Sequence, residues 1–90
     1  MQIGDIVVTI TSCGSGSLRL ELGAMAEITN VTKSELCLTR QGNSSNGSPL
    51  RYFRETTEKE IRAYKQGITN INNIPEDFQL NLEIIPLIFN

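Results

Sequence analysis

Apolar and polar positions alternate with period two along most of the chain, a pattern that predicts short, half-buried β-strands. Ile6, Val8 and Ile10 alternate with Val7, Thr9 and Thr11 after Gly4-Asp5, predicting a first strand over about 5–11. The pattern then breaks at Ser12-Cys13-Gly14-Ser15-Gly16-Ser17, which reads as a flexible loop. Leu18, Leu20 and Leu22 resume it and predict a strand over 18–22, ending at Gly23. Ala24, Ala26 and Ile28 set against Met25, Glu27 and Thr29 predict a third strand over 24–32. Lys33-Ser34 reads as a two-residue hairpin turn into a strand over 35–40, where Leu36 and Leu38 keep the buried face. Gln41 to Pro49 reads as a polar loop with an Asn46-Gly47 turn and no core residue.

The best-specified stretch runs from Leu50 to Ile68. Leu50 and Tyr52 alternate with Arg51 around an aromatic pair of high strand propensity, predicting a short strand over 50–54. Thr57 and Glu60 then form the Thr-x-x-Glu pattern of a capping box, which satisfies two backbone donors that a helix start would leave without partners. A helix over 57–66 follows, with Ile61, Ala63 and Tyr64 as its buried stripe and Gly67 placed for a left-handed terminator. Glu55 with Lys59, and Glu58 with Arg62, have the favoured i,i+4 order, each pair worth about 0.3 kcal/mol. The helix is too short to stand alone in water, so it must pack on the rest of the fold.

After an asparagine-rich connection and a turn at Ile74-Pro75-Glu76-Asp77, Phe78, Leu80, Leu82 and Ile84 alternate with Gln79, Asn81 and Glu83. They predict a last strand over 78–85, stopped by Pro86. Leu87, Ile88 and Phe89 remain as an apolar tail over 86–90, which either completes the core or meets a partner subunit, and it makes a homodimer the expected state.

With 90 residues the chain has room for one small domain, whose single core supplies modest stability. A net charge of -2 excludes the strong imbalance of a nucleic-acid mimic and gives little support to nucleic-acid binding. Six of the 8 basic residues (Arg40, Arg51, Arg54, Lys59, Arg62, Lys65) fall between 40 and 65, so an anion-facing surface would use the strand and helix above. No apolar run is long enough to span a membrane and no signal peptide is evident, which predicts a cytoplasmic protein. In that compartment Cys13 and Cys37 are expected as reduced thiols.

The sum is a mainly β fold with one short α-helix inserted before the last strand. Gly4-Asp5-Ile6-Val7-Val8, Gly23-Ala24-Met25-Ala26-Glu27-Ile28 and Tyr52-Phe53-Arg54 resemble the skeleton of SH3-like barrels. The resemblance covers residues 4 to 67 and implies a small antiparallel barrel of five to six strands. The run from Tyr52 to Tyr64 is also similar to small uncharacterised phage and prophage proteins.

Catalytic chemistry finds no support in the residues. The chain has no histidine to activate Cys13, and two cysteines are too few for a structural zinc within one chain. No cofactor is expected. The 12–17 loop has the glycines of a phosphate cradle but neither a following helix nor the Lys-Ser/Thr of a P-loop. Arg51, Tyr52 and Arg54 form the richest recognition group, since arginine and tyrosine dominate binding hot spots, with Arg62 and Lys65 on the helix beside them. The bland alternative is that Tyr52 and Phe53 are core and the arginines pair with Glu55 and Glu58. A non-enzymatic protein-binding module is the leading expectation, its partner a host or viral protein. The phage-like resemblance implies an inhibitor of a host protein, in the manner of anti-defence or anti-CRISPR proteins. A small-ligand binder or sponge, for example for a nucleotide held by the first loop and Arg54, and a nucleic-acid-binding barrel stand as alternatives.

Overall fold

The computed structural model describes residues 1–78. Its strands are β1 (Ile6–Thr9), β2 (Cys13–Ser15), β3 (Leu18–Leu20), β4 (Met25–Val31), β5 (Glu35–Arg40), β6 (Asn43–Ser44), β7 (Ser48–Pro49) and β8 (Phe53–Glu55), followed by helix α1 (Glu58–Lys65). The main antiparallel sheet has the order β6-β5-β4-β1-β8, with β7 also paired to β5, and β2 and β3 form a separate two-stranded ribbon. The fold is therefore mainly β with one short α-helix. Among the described residues the hydrogen-bonded path ends at β6 and β8 without closing. The strand expected over 78–85 beyond Phe78, and the apolar tail 86–90, lie outside the described residues. No helix among the described residues is long and apolar enough to cross a membrane.

All four residues of β1 are buried, because the strand sits between two layers. Val7 joins Leu18, Leu20, Ala24, Ala26, Ile28, Leu36, Leu38 and Phe53 in the main core. Ile6 and Val8 face the other way, where with Met25 they are covered by Ile61 and Tyr64 of α1 and by Ile71 and Ile74. Met25 alternates onto that second face and is 0% exposed, whereas Glu27 on the same face is exposed. The difference is position: α1 and the segment after it cover β1 and the start of β4 but not its continuation.

Helix α1 carries both ends expected of it. Thr57 Oγ1 accepts from the Glu60 N–H, and the Glu60 carboxylate accepts from the Thr57 N–H, completing the capping box. At the other end Gly67 has φ +96°, its N–H donates to the Tyr64 carbonyl, and the Ile68 N–H donates to the Ala63 carbonyl. Those two bonds are a Schellman terminator, and the left-handed Gly67 makes it possible.

Three segments differ from expectation. Residues 12–17 are not simply a loop: Cys13 pairs with Leu20, Gly14 with Arg19 and Ser15 with Leu18. A side chain at Gly14 would lie 2.5 Å from the Leu18 carbonyl oxygen, so glycine here permits close backbone approach. Gln41 to Pro49 is not a plain loop either. After a turn with positive φ at both Gln41 and Gly42, the chain runs back along β5 and pairs at Asn43, Ser44, Ser48 and Pro49. Ser45 and Ser48 are buried, Ser45 bonding β5 through its N–H to the Leu38 carbonyl and its Oγ from the Leu38 N–H. Finally, Leu50–Tyr52 is a 3-10 turn rather than strand; it follows Pro49, whose φ is −55°, and the Phe53 N–H closes it onto the Leu50 carbonyl. The strand begins only at Phe53.

The two-layer reading of β1 makes Met25 the discriminating position. Met25→Ala is expected to cost about 2–5 kcal/mol in a urea melt, as for a fully enclosed side chain. A loss below about 0.5 kcal/mol would mark that face as solvated.

Candidate recognition surfaces

The expected recognition residues divide between the two sides of the sheet. Tyr52, half-buried, packs against the margin of the main core, and its 3-10 turn projects Arg51 into solvent. The Arg51 guanidinium lies over the Tyr52 ring, 5.1 Å from its centroid, a cation–π arrangement. Among the described residues Arg51 has no carboxylate within ion-pair distance.

Arg54 faces α1 instead. Its guanidinium makes a two-pronged bond to Glu60, Nη1 to Oε1 at 3.0 Å and Nη2 to Oε2 at 2.7 Å, and Nη1 also donates to the Glu55 carbonyl. Glu60 thus serves Arg54 and the helix cap together. The pairing of arginine with glutamate was the bland alternative, but the partner is Glu60 rather than Glu55 or Glu58. Arg62 bonds Glu58 one turn back at 3.3 Å. Lys65, exposed, shares with Ile61 the rim between two shallow grooves of about 300 and 380 Å³. Of Arg51, Arg54, Arg62 and Lys65, the cations that a nucleic-acid-binding barrel would use, Arg54 and Arg62 are matched to carboxylates, and Arg51 and Lys65 belong to different layers.

No protein-family model, curated protein or solved structure matches this chain. Its surfaces are therefore read from their own chemistry.

Two exposed aliphatic residues that periodicity places in strands lie at the same end of β1 as the backbone of Tyr52. Ile10 is 48% exposed and Leu22 58% exposed. The Ile10 N–H donates to the Tyr52 carbonyl, and Gly23, next to Leu22, donates to the Thr9 carbonyl, so both sit where β1 leaves the sheet. Each lies just past the end of its strand, a signal available only once strand ends are known. Leu87, Ile88 and Phe89 lie outside the described residues.

The first loop offers no open phosphate cradle. The Ser17 N–H and hydroxyl donate to the Ser44 carbonyl, and a side chain at Gly16 would lie 2.9 Å from that oxygen. Cys13 and Cys37 are free thiols. Burial pushes the Cys13 thiol up, against a hydrogen bond with Ser48, which disfavours the nucleophilic thiolate. Among the described residues no three of His, Cys, Asp and Glu cluster to hold a metal ion.

The Arg54 guanidinium, hydrogen bonded to it, holds the Glu60 carboxyl below the usual carboxylate range, against the opposing effect of partial burial. A depressed folded-state pKa gives stability that is complete above the unfolded-state value, about 4.3, and is lost as pH falls through the lower folded value. Glu60→Gln retains a side chain able to cap but loses the charge. It is expected to cost about 1 kcal/mol near pH 7, with the gap to wild type closing in urea melts between about pH 5 and pH 3. A gap independent of pH over that range would remove the ionised carboxylate from the account.

Proposed function

We propose that this chain is a non-enzymatic protein-binding module on a small SH3-like barrel, recognising its partner through the Arg51–Tyr52 turn and the exposed Ile10 and Leu22. What supports the barrel is the strand order: β1 lies between β4 and β8, and a 3-10 turn precedes the strand that returns to β1. The observation that carries the binding reading is Arg51 over the Tyr52 ring on a turn whose Tyr52 carbonyl accepts from the N–H of the exposed Ile10. An arginine pre-ordered by an aromatic ring, with exposed aliphatic residues at the same end of β1, has the composition of a binding hot spot. Its guanidinium suits a carboxylate on the partner, and Ile10 and Leu22 suit an apolar anchor. The resemblance of the Tyr52 to Tyr64 run to phage and prophage proteins, which rests on the sequence alone, extends the proposal to an inhibitor of a host defence protein, acting in the host cytoplasm.

Affinity capture from a bacterial lysate tests this with the wild type, Arg51→Glu and Leu22→Lys. One host protein retained by the wild type and lost with both variants, while their melting temperatures hold, is the expected result. Equal retention by all three would remove this surface from binding.

The apolar tail is proposed, on its sequence, as a contact with a second copy. Deleting residues 87–90 is expected to reduce the mass in solution from dimer to monomer by light scattering, and an unchanged mass refutes the contact.

A further inference from the structure

A cleft of about 220 Å³ opens where three segments meet: Arg19 and Glu21 at β3, Arg40 at the end of β5, and Thr69, Asn70 and Asn73 after α1. It exists because one edge of β4 changes partner. The last residue of β4 paired toward the end of β5 is Glu27, opposite Thr39. Beyond it the Met25 N–H donates to the Thr69 carbonyl, Ala24 bridges Asn70, and the Ile71 N–H donates to the Gly23 carbonyl. Arg40 thus ends one partner of β4 as Thr69 begins the next, and the ribbon brings Arg19 over the gap.

The cleft is rigid on one side and rich in unused donors. Asn70 is committed: its Oδ1 accepts from the Asn72 N–H and its Nδ2 donates to the Leu22 carbonyl, which fixes the turn that carries Asn73. Arg19 and Arg40 form no ion pair among the described residues, although Glu21 lines the same cleft. Among the lining residues two guanidinium groups stand against one carboxylate, while Glu27, outside the lining, acts together with Arg40 on the Tyr64 hydroxyl. Within the same residues, the Asn73 amide and the Thr69 hydroxyl make no side-chain hydrogen bond.

We propose that this cleft binds a small molecule bearing oxyanion groups, carboxylate or phosphate, gripped by the forks of Arg19 and Arg40 and by neutral donors from Asn73 and Thr69. Arginine presents paired donors that match either anion in two-pronged fashion. Glu21 disfavours bulk anion accumulation and requires the ligand to earn its place by geometry. This site uses neither Arg51, Tyr52 nor Arg54, although Asn70 holds the carbonyl of Leu22.

The test is a nitrogen-15 NMR titration of the full chain with inorganic phosphate and, separately, with succinate, at constant ionic strength with chloride as the control. The expected result is saturable shifts at the Arg19 and Arg40 Nε–H groups and at the Asn70 to Asn73 amides. Saturation by phosphate alone, by succinate alone or by both names the oxyanion class accepted. Arg19→Gln and Arg40→Gln should each weaken binding by about tenfold or more, as expected for losing a charge-assisted hydrogen bond. Arg40→Lys, which keeps the charge but loses the fork, should fall between. The wild-type map alone decides the site if a variant fails to fold. Shifts that never saturate, that spread over all the lysines and arginines, or that persist in the double Gln variant overturn the proposal, as does silence with both probes.

Discussion

The fold depends on the burial of β1 on both faces. A strand reading Ile-Val-Val-Thr with every residue buried needs two covers, and exposing either face would forfeit about 1.5–3 kcal/mol for each large apolar side chain. The main core supplies one cover through the leucines of β3 and β5. The other is α1 with Ile71 and Ile74, an assembly too small to be stable by itself. Glu60 is where that second cover is fastened. One carboxylate closes the helix cap and receives the Arg54 fork from β8, so the helix start and the sheet edge are positioned by the same group. Charged residues do this at the margin, where water still reaches Arg54, while Ala63, Ile61 and Tyr64 supply the apolar contact.

The same fastening limits how another chain could engage the sheet. At β8 the Phe53 N–H is taken by the Leu50 carbonyl and the Glu55 carbonyl by Arg54. At the opposite end of the path, the Ser44 N–H and carbonyl are both bonded to Ser17. Short edges whose polar groups are already used make poor templates for strand addition. If the chain binds a partner as proposed, recognition then falls to side chains, and the solvent-facing Arg51 on the Leu50–Tyr52 turn is better placed for it than Arg54 on β8.

What could be read from the residues was local. Thr57, Glu60 and Gly67 announce a helix and its ends because caps and terminators are set within four or five residues. Leu36 and Leu38, or Ala26 and Ile28, announce strands because alternation is likewise local. What could not be read depends on partners distant in sequence. Ser45 and Ser48 are buried, yet serines among glycine and asparagine look like loop until β5 lies beside them and accounts for their hydrogen bonds. Arg54 has three glutamates within six positions, and only the packing of α1 on the sheet selects Glu60. Arg19 and Arg40 are 21 positions apart and belong to different sheets, so no spacing rule could pair them.

In the first loop the glycines read as flexibility, whereas they serve a paired ribbon. Its glycines are required, but by backbone approach: Gly14 meets Leu18 across the ribbon and Gly16 meets Ser44. Their consequence for anion binding is indirect. Gly14 is the cross-strand partner of Arg19, and directly opposed residues of an antiparallel pair share a face. With no side chain at position 14, nothing on β2 directly opposes the Arg19 guanidinium to pair with it or cover it. On the proposed reading of the cleft, Gly14 thus contributes by leaving Arg19 uncovered.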